Sequence, residues 1–332
     1  MSNRKEVDNK NMTYIKEITK DMPDLVNNYI TSISSKTSRT KAAYAYYITL
    51  FINYMRGELK MKIYRDDSYS LIKPMHIDSY MESIRYSENG KEKSASYRNA
   101  NLAALKSFFK FLKKNGIVET NPCDETEIPK DNKIHEITVI DKKDLYIMLS
   151  NIRNGVGSQT ARAFQARFMN RDAAILLIGV TTGLRVSAIV GINIQDINFE
   201  EKYILVTEKG NIEKKVFIGD NTLNIIQEWI KDRKSHNIIE NDKDALFISS
   251  KGMRITTTGV RQMIHRISLG VDKKITPHKM RSTCATRLYE ATGDIYMVQQ
   301  QLGHKNIQNT QRYAKVSESK MRDAANILNK LV

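Results

Sequence analysis

The sequence predicts a mainly α-helical protein with a small β-hairpin in its second half. Through the first third of the chain, apolar residues recur at the three- and four-residue spacing of helices that pack on a core. Residues 173–180 form an apolar run that indicates a buried core helix, since a membrane span takes about 20 apolar residues. Residues 203–207 and 215–218 are β-rich and flank a turn that contains Gly210 and Asn211, which is typical of a hairpin.

Composition agrees with a basic, two-domain protein. The 332 residues suffice for two domains, each with a sizeable core. Lys and Arg number 53 against 37 Asp and Glu, a formal net charge of +16, as expected of proteins that bind nucleic acid, ribosomal proteins included. The chain has no apolar run of membrane-spanning length and no signal-peptide core near its start, so we expect a cytoplasmic protein with no membrane partner. Cys123 and Cys284 form no Cys-x-x-Cys pair, and we expect plain thiols rather than a disulfide or a zinc cluster.

The first domain is predicted to be a helical bundle over residues 21–118. Residues 1–20 are polar and mixed in charge, and we expect a partly ordered lead-in there. A helical pattern starts at Leu25, Pro74 suits the first turn of a later helix, and a further helix covers residues 96–114. The predicted core positions are Ala43, Tyr47, Leu50, Phe51, Tyr54, Met55, Ile77, Tyr80, Met81, Ile84, Leu102, Leu105, Phe109 and Leu112.

The helix over residues 96–114 is predicted to turn a basic face away from this core. Such a face either neutralises DNA phosphates or is an ordinary solvated helix surface, and the residues alone leave both alternatives open. The candidate DNA-binding residues are Lys91, Lys93, Arg98, Lys106 and Lys110, with Lys113 and Lys114 continuing the face.

A linker and a second domain are predicted to follow. Residues 119–136 hold two prolines and alternating charges with little apolar content, which predicts an extended linker. Residues 137–332 are predicted to form the second domain, and Asp141 is the expected N-cap of its first helix. The apolar residues of that helix are Leu145, Met148 and Leu149.

Two basic residues of the second domain follow structural signals. Arg185 comes directly after Gly183-Leu184 at the end of the buried helix, and is either a paired core arginine or an anion ligand. Lys209 lies at the tip of the predicted hairpin, where the alternative to a functional role is an edge-strand lysine that discourages aggregation.

Residues 276–314 carry the densest pattern of candidate functional side chains. His278 and Arg281 stand three residues apart, so on a helix both leave one face and can converge on one anion, such as a phosphate diester. Taken alone, such a pair is more often an ordinary surface pair.

A second histidine and a tyrosine complete the pattern. His304 follows Leu302-Gly303, where an amphipathic helix is expected to stop at the glycine. Tyr313 lies nine residues beyond His304, in a polar segment that a short helix could bring toward the same anion, which makes it a candidate nucleophile. Each motif alone has an ordinary structural explanation, and their order and spacing together carry the signal.

This order resembles the tyrosine recombinase (phage integrase) family. The family pattern is an Arg in a Thr-Gly-Leu-Arg turn, a Lys on a β-hairpin, then His-x-x-Arg, Leu-Gly-His and a nucleophilic Tyr nine residues later, and all are present. Many relatives carry an acidic residue at the place of Ala188 and a histidine at the place of Ser282, so the chain departs from the pattern there. The resemblance implies a catalytic set, with no metal and no cofactor, of Arg185, Lys209, His278, Arg281, His304 and Tyr313.

The resemblance also implies the role of each group. Both arginines, with His304, would bind the negative charge that develops on phosphorus in the transition state. His278 would take the proton of Tyr313, and Lys209 would protonate the departing 5′ oxygen. The implied reaction cleaves and rejoins DNA through a covalent 3′-phosphotyrosine and a Holliday junction, without metal or ATP.

The implied fold is an N-terminal helical core-binding (SAM-like) bundle plus a tyrosine recombinase catalytic domain, together a C-shaped clamp on DNA. The implied partners are double-stranded DNA with an inverted-repeat core site and a homotetramer on two DNA sites, in which neighbours exchange a C-terminal helix over residues 317–332. The apolar stripe of that helix would be Met321, Ala324, Ala325, Leu328 and Leu331.

Three alternatives remain at this point. A type IB topoisomerase-like enzyme would nick and reseal one strand, and a catalytically silent DNA-binding regulator would only bind. A metal-dependent nuclease would bind its ion through His278, Cys284 and His304.

Overall fold

The computed structural model describes residues 2–64, 66–127, 137–208, 212–303, 306–311 and 313, which belong to two compact units, Met1–Ile134 and His135–Val332. Helices dominate both units, and the described strands form one small antiparallel sheet in the second, which confirms the predicted fold class. Within these ranges, every helix is too short or too polar to cross a membrane.

The helices of the first unit are α1 (Ser2–Ile18), α2 (Asp24–Ser32), α3 (Ser38–Gly57), α4 (Pro74–Ser83) and α5 (Ala95–Lys114), with a 3-10 turn at Asp66–Leu71. Pro74 stands in the first turn of α4, as predicted. The side chains of Thr37 and Ser94 cap α3 and α5 by accepting hydrogen bonds from the backbone N–H groups of Thr40 and Tyr97.

The segment predicted as a partly ordered lead-in, residues 1–20, contains a helix in the structure. Ser2–Ile18 form α1, which packs against α3 and buries Ile15. Just after this helix, the Thr19 hydroxyl lies 2.8 Å from both the Ile15 carbonyl and the Asn27 side-chain oxygen. A largely polar segment is helical here because tertiary packing, rather than intrinsic propensity, supplies most helix stability.

The core face of α3 is wider than the predicted one and is shifted around the helix. Phe51 and Met55 are fully buried as predicted, whereas the other predicted positions on α3 are only half-buried. Because α1, α2, α4 and α5 all contact α3, its buried surface is not a single stripe. The buried residues of α3 are Ala42, Ala45, Ile48, Phe51, Ile52 and Met55. The predicted core positions from Ile77 to Leu112 are all buried.

The start of the predicted linker packs on the first unit instead of extending away from it. Cys123 is fully buried, and the Thr126 hydroxyl lies 2.8 Å from a carboxylate oxygen of Asp78. The side-chain amide of Asn121 donates to the Lys106 carbonyl at 3.3 Å. Residues 128–136 lie outside the described residues.

The second unit surrounds one buried helix. Its elements are α6 (Lys142–Asn154), α7 (Gln159–Ala166), α8 (Met169–Thr182), α9 (Val186–Gly191), β1 (Ile197–Asn198), β2 (Tyr203–Glu208), β3 (Ile212–Phe217), α10 (Asp220–Arg233), α11 (Thr257–Ile267), α12 (Pro277–Thr292), α13 (Ile295–Leu302) and α14 (Gln308–Gln311). The predicted buried core helix is α8, which packs against α6, α10, α11 and α12. The side chain of Asp141 caps α6, as predicted, by accepting from Asp144 N at 2.8 Å.

A buried ion-pair cluster anchors the start of α8. One carboxylate oxygen of Asp172 accepts from Nε and Nη2 of Arg171 at 2.9 and 2.7 Å, and the other pairs with Arg266 of α11. Nη1 of Arg171 donates to the Ile248 carbonyl at 2.8 Å. Because Asp172 is only 2% exposed, its charge is stabilised by these partners rather than by water.

The predicted hairpin is present and gains a third strand. The strands lie in the order β1-β2-β3, all antiparallel, and Ile204 of β2 stands opposite both Ile197 and Val216. Residues 209–211, which include Lys209, lie outside the described residues.

Candidate active site

The turn after α8 carries the first candidate arginine. Gly183 ends α8 in the left-handed conformation, with φ of 66°. Arg185 stands immediately before α9 and is exposed. Glycine is favoured at Gly183 because a side chain strains a positive φ and because a β-carbon there would lie 2.8 Å from Leu302 Cδ2.

The helix α12 holds the His-x-x-Arg pair at two different depths. Thr276 caps this helix and Pro277 occupies its first turn. His278 is exposed, whereas Arg281, one turn further on, is only 5% exposed. The two side chains thus differ in burial. That both of them bind one anion stays a prediction.

The guanidinium of Arg281 connects its own helix, α12, to the ends of two other helices. Its Nη1 donates to the carbonyl of Gly183 at 2.6 Å, and its Nη2 donates to the carbonyl of Leu302. Both carbonyls belong to helix C-termini, whose last carbonyl groups have no partner within their own helix. One buried side chain thus joins α12 to the ends of α8 and α13.

The helix α13 is held at both ends. Asp294 accepts hydrogen bonds from Tyr296 N and Met297 N at its start, and Gly303 ends it with φ of 62°, as the sequence predicts. The side-chain amide of Gln301 donates to the Thr182 carbonyl at 2.9 Å, which ties α13 to α8 a second time. His304, the next residue after the glycine, lies outside the described residues.

Tyr313 lies in an apolar cluster rather than in solvent. It is 3% exposed and packs with Ala285, Val298 and Leu302. The short helix expected before it is α14, and Tyr313 N donates to the carbonyl of Thr310 at 2.9 Å. Leu302 therefore has two contacts in the candidate site: it packs with the candidate nucleophile, Tyr313, and its carbonyl accepts from Arg281.

Cys284 lies beside the same turn. Its thiol donates to the Thr181 carbonyl at 3.3 Å. Burial raises the pKa of this thiol to about 11, although Arg281 acts in the opposite direction. The two positions that depart from the family pattern are also interior: Ser282 is buried and Ala188 is half-buried against the core.

Sequence reasoning missed a lysine that contacts this site. Lys214 of β3 directs its ammonium to the carbonyls of Gln300 and Gln301, the latter at 3.0 Å. The sequence offers no signal that separates it from Lys215, the next residue.

The candidate DNA-binding residues of the first unit do not share one face. Arg98 of α5 has a side chain that is 14% exposed and pairs with Glu92 at 3.4 Å, and its assignment as a DNA-binding residue stays a prediction. Lys93 lies 4.9 Å from the Tyr97 ring centre. Lys91 and Lys110 are exposed, Lys106 is half-buried, and Lys113 and Lys114 are exposed.

Known proteins match the chain over most of its length. A model of the phage integrase family matches residues 157–320. Tyrosine recombinase XerC of Corynebacterium glutamicum is 30% identical over 280 residues, which cover 82% of this chain and 86% of the relative. Tyrosine recombinase XerD of Oceanobacillus iheyensis is 27% identical over 295 residues, which cover 86% of this chain and 91% of the relative.

Solved structures share the fold at low sequence identity. XerH site-specific recombinase bound to a palindromic difH substrate superposes with a TM-score of 0.70 at 20% identity, covering 90% of this chain and 83% of that one. The Tn1549 transposon integrase in complex with transposon right end DNA superposes with a TM-score of 0.69 at 21% identity, covering 92% of this chain and 98% of that one.

These likenesses define the class of protein: an enzyme that breaks and rejoins DNA. The chain belongs to the phage integrase family of tyrosine recombinases.

Proposed function

We propose that the protein is a site-specific recombinase that cleaves and rejoins DNA through Tyr313. The phenol oxygen attacks a backbone phosphorus, the bond from phosphorus to the 5′ oxygen breaks, and a 3′-phosphotyrosine forms. The 5′-hydroxyl of a second strand then attacks this ester and releases the tyrosine, so that two such exchanges create and resolve a Holliday junction. Bond energy is kept in the ester, and neither ATP nor a metal enters the scheme.

The observation that supports this most is the bridge made by Arg281. Its hydrogen bonds to the Gly183 and Leu302 carbonyls draw together the turn that precedes Arg185, the His-x-x-Arg helix and the helix before His304. Two guanidiniums suit the oxygens of a five-coordinate phosphorus, because each presents a planar fork of donors. In this proposal, His278 takes the phenol proton, Lys209 protonates the leaving 5′ oxygen, and His304 adds a donor.

Burial of the nucleophile adds a condition to the scheme. Because Tyr313 is 3% exposed among apolar side chains, attack on a DNA phosphate requires a local rearrangement of Tyr313 or of its neighbours. DNA binding would supply the energy for this step, which keeps the phenol shielded until a substrate is in place.

Substrate and assembly are proposed from the relatives. Residues 21–118 would bind a core site in double-stranded DNA, and residues 137–332 would carry the chemistry, in the cytoplasm. Lys91, Lys93, Arg98, Lys106 and Lys110 stay the candidates for phosphate contacts, with Lys113 and Lys114 further along α5. A homotetramer on two inverted-repeat sites would form by exchange of residues 317–332, which lie outside the described residues.

Two alternatives are weaker on specific grounds. A nuclease metal site would need the sulfur of Cys284 as a ligand, but this thiol is buried and donates to the Thr181 carbonyl at 3.3 Å. A silent DNA-binding regulator has no use for a tyrosine and two arginines in this order. A topoisomerase-like activity shares the first chemical step, and it would relax supercoils without exchanging strands between two sites.

A nicked suicide duplex tests the proposal. Loss of the short product after cleavage traps the enzyme on DNA, and we expect wild type to form a covalent adduct that resists denaturation. Tyr313→Phe should bind the duplex and form no adduct, because only the attacking oxygen is removed. Tyr289→Phe is a matched control, since Tyr289 packs on the same apolar cluster. An adduct formed by Tyr313→Phe would refute the assignment.

A further inference from the structure

The carboxyl end of α13 is satisfied by basic side chains from two other elements. Lys214 of β3 donates to the carbonyls of Gln300 and Gln301, and Arg281 of α12 donates to that of Leu302. These carbonyls are among the last of the helix, where intrahelical partners run out and cations are favoured by the helix dipole. The contact is therefore attractive on two counts.

The neighbouring lysine on β3 has a different environment. Successive side chains on a strand point to opposite faces, so Lys214 and Lys215 diverge. The ammonium of Lys215 pairs with Glu201 at 3.2 Å and lies 4.3 Å from the centre of the Tyr203 ring, so its contacts are with the start of β2 and the turn before it. Only Lys214 reaches a helix that leads into the candidate site.

The hydrogen bonds of Lys214 join two segments that are distant in sequence. β3 pairs with β2 along its whole length, with Val206 opposite Lys214. Lys209 falls between the two strands in the sequence, among residues 209–211, which lie outside the described residues. On the other side, α13 is fixed to α8 through Gln301. A movement of the hairpin relative to α13 would therefore break the hydrogen bonds of Lys214.

We propose that Lys214 is a positioning residue that holds the hairpin against the end of α13, so that the hairpin lysine, Lys209, is presented to the leaving 5′ oxygen. This inference rests on the proposed function. Lys214 acts through the placement of the hairpin and takes no part in proton transfer. If the hairpin is free to move, protonation of the leaving 5′ oxygen is the step that becomes slower.

Single-turnover cleavage of two suicide duplexes tests this role, one with oxygen and one with sulfur at the 5′-bridging position. Sulfur departs as a thiolate without a proton, so it relieves the need for a general acid. Lys214→Met should slow the oxygen substrate on the order of 100-fold, the effect of a misplaced catalytic group. It should slow the sulfur substrate much less, in the same pattern as Lys209→Ala.

Matched variants separate positioning from general damage. Lys215→Met should cleave both substrates like wild type, and Lys214→Arg should recover most of the rate because a guanidinium can also donate to the two carbonyls. Thermal unfolding and duplex affinity are measured for each variant. If Lys214→Met does not fold, Lys214→Gln is used instead, because its amide is uncharged and one bond shorter than the lysine side chain. It should show a smaller defect with the same dependence on the leaving atom.

Three results would overturn the inference: equal defects on both substrates, wild-type rates for Lys214→Met, or an equal defect for Lys215→Met. If wild type forms the Tyr313 adduct while Lys214→Met behaves in one of these ways, the positioning role alone fails. If wild type forms no adduct with either duplex, the proposed function fails and the inference fails with it.

Discussion

Gly183 packs against Leu302 so closely that a β-carbon on Gly183 would lie 2.8 Å from Leu302 Cδ2 and 3.2 Å from Cys284 Sγ. The same glycine has a φ of 66°, and its carbonyl accepts from Arg281. Two separate requirements, backbone conformation and space, therefore act at one residue of the candidate site. The turn that precedes Arg185 can be shaped only by glycine without cost.

Gly183→Ala should be more harmful than a glycine replacement of equal backbone strain elsewhere. The left-handed conformation costs a non-glycine residue about 1 kcal/mol, and the forced contact adds about 1–3 kcal/mol. Gly293, which ends α12 with φ of 67°, is the control, because a β-carbon there meets no atom within 4 Å. Chemical denaturation should show a small loss for Gly293→Ala and a larger one for Gly183→Ala, with cleavage impaired only in the latter. Equal losses would argue against the packing explanation.

Arg281→Lys should impair cleavage even though it keeps the charge. A lysine ammonium is a point donor and does not reproduce a fork that reaches two carbonyls at once. Leaving one buried carbonyl without a donor costs about 1–3 kcal/mol of unfolding free energy. Arg287→Lys, on the same helix, is the control, since Arg287 makes a single described bond, to the Ile140 carbonyl at 2.8 Å. Suicide-substrate trapping compares the two, and an active Arg281→Lys would show that the fork is dispensable.

Asp172→Asn should lower stability strongly through the start of α8. The carboxylate of Asp172 is buried between Arg171 and Arg266, and removal of one partner from a buried pair typically costs about 3–5 kcal/mol. Glu228→Gln removes one partner of an exposed pair, at 2.9 Å from Lys231, and should cost less than about 1 kcal/mol. Urea unfolding of both variants checks this contrast. A small effect of Asp172→Asn would mean that the two arginines find other acceptors.

The features that local sequence predicts correctly are those with local causes. The apolar run of α8, the glycine at the end of α13, the Asp141 cap and the hairpin strands each depend on neighbouring residues. The face of α3 was wrong because several partners cover this helix, so periodicity cannot select one stripe.

The internal bonds of the site could not be predicted for a different reason. Arg281, Lys214 and Gln301 all donate to backbone carbonyls, and a carbonyl acceptor has no identity in the sequence. Motif spacing identified Arg281 as a candidate but gave no indication of its acceptors. The two lysines at Lys214 and Lys215 are equivalent by residue type and differ only through strand direction and the position of α13.

The charged cap of α6 should stabilise the second unit at neutral pH and should lose part of this effect at acidic pH. The backbone N–H of Asp144, and then Lys273 at 3.0 Å, lower the pKa of Asp141 below its usual range. A carboxyl group with a lowered folded pKa stabilises the protein above its unfolded pKa, and this contribution is lost as pH falls through the folded value. Asp141→Asn retains a capping oxygen and removes the charge. Its unfolding free energy should fall below that of wild type at neutral pH, and the difference should shrink below about pH 4.

Lys273 supplies the control for this dependence. Hydrogen bonds to Asp144 and then Asp141 raise the pKa of Lys273, so Lys273 itself stays protonated throughout the acidic range and titrates only at alkaline pH. A change of the interaction at acidic pH therefore comes from the carboxylates. A double-mutant cycle of Asp141→Asn with Lys273→Met, followed by urea unfolding from pH 7 down to about pH 3, isolates the interaction between the two groups. The coupling should be favourable at pH 7 and should approach zero once Asp141 is protonated. A coupling that stays constant over this range would show that the charge of Asp141 does not contribute and that the cap acts through its hydrogen bond alone.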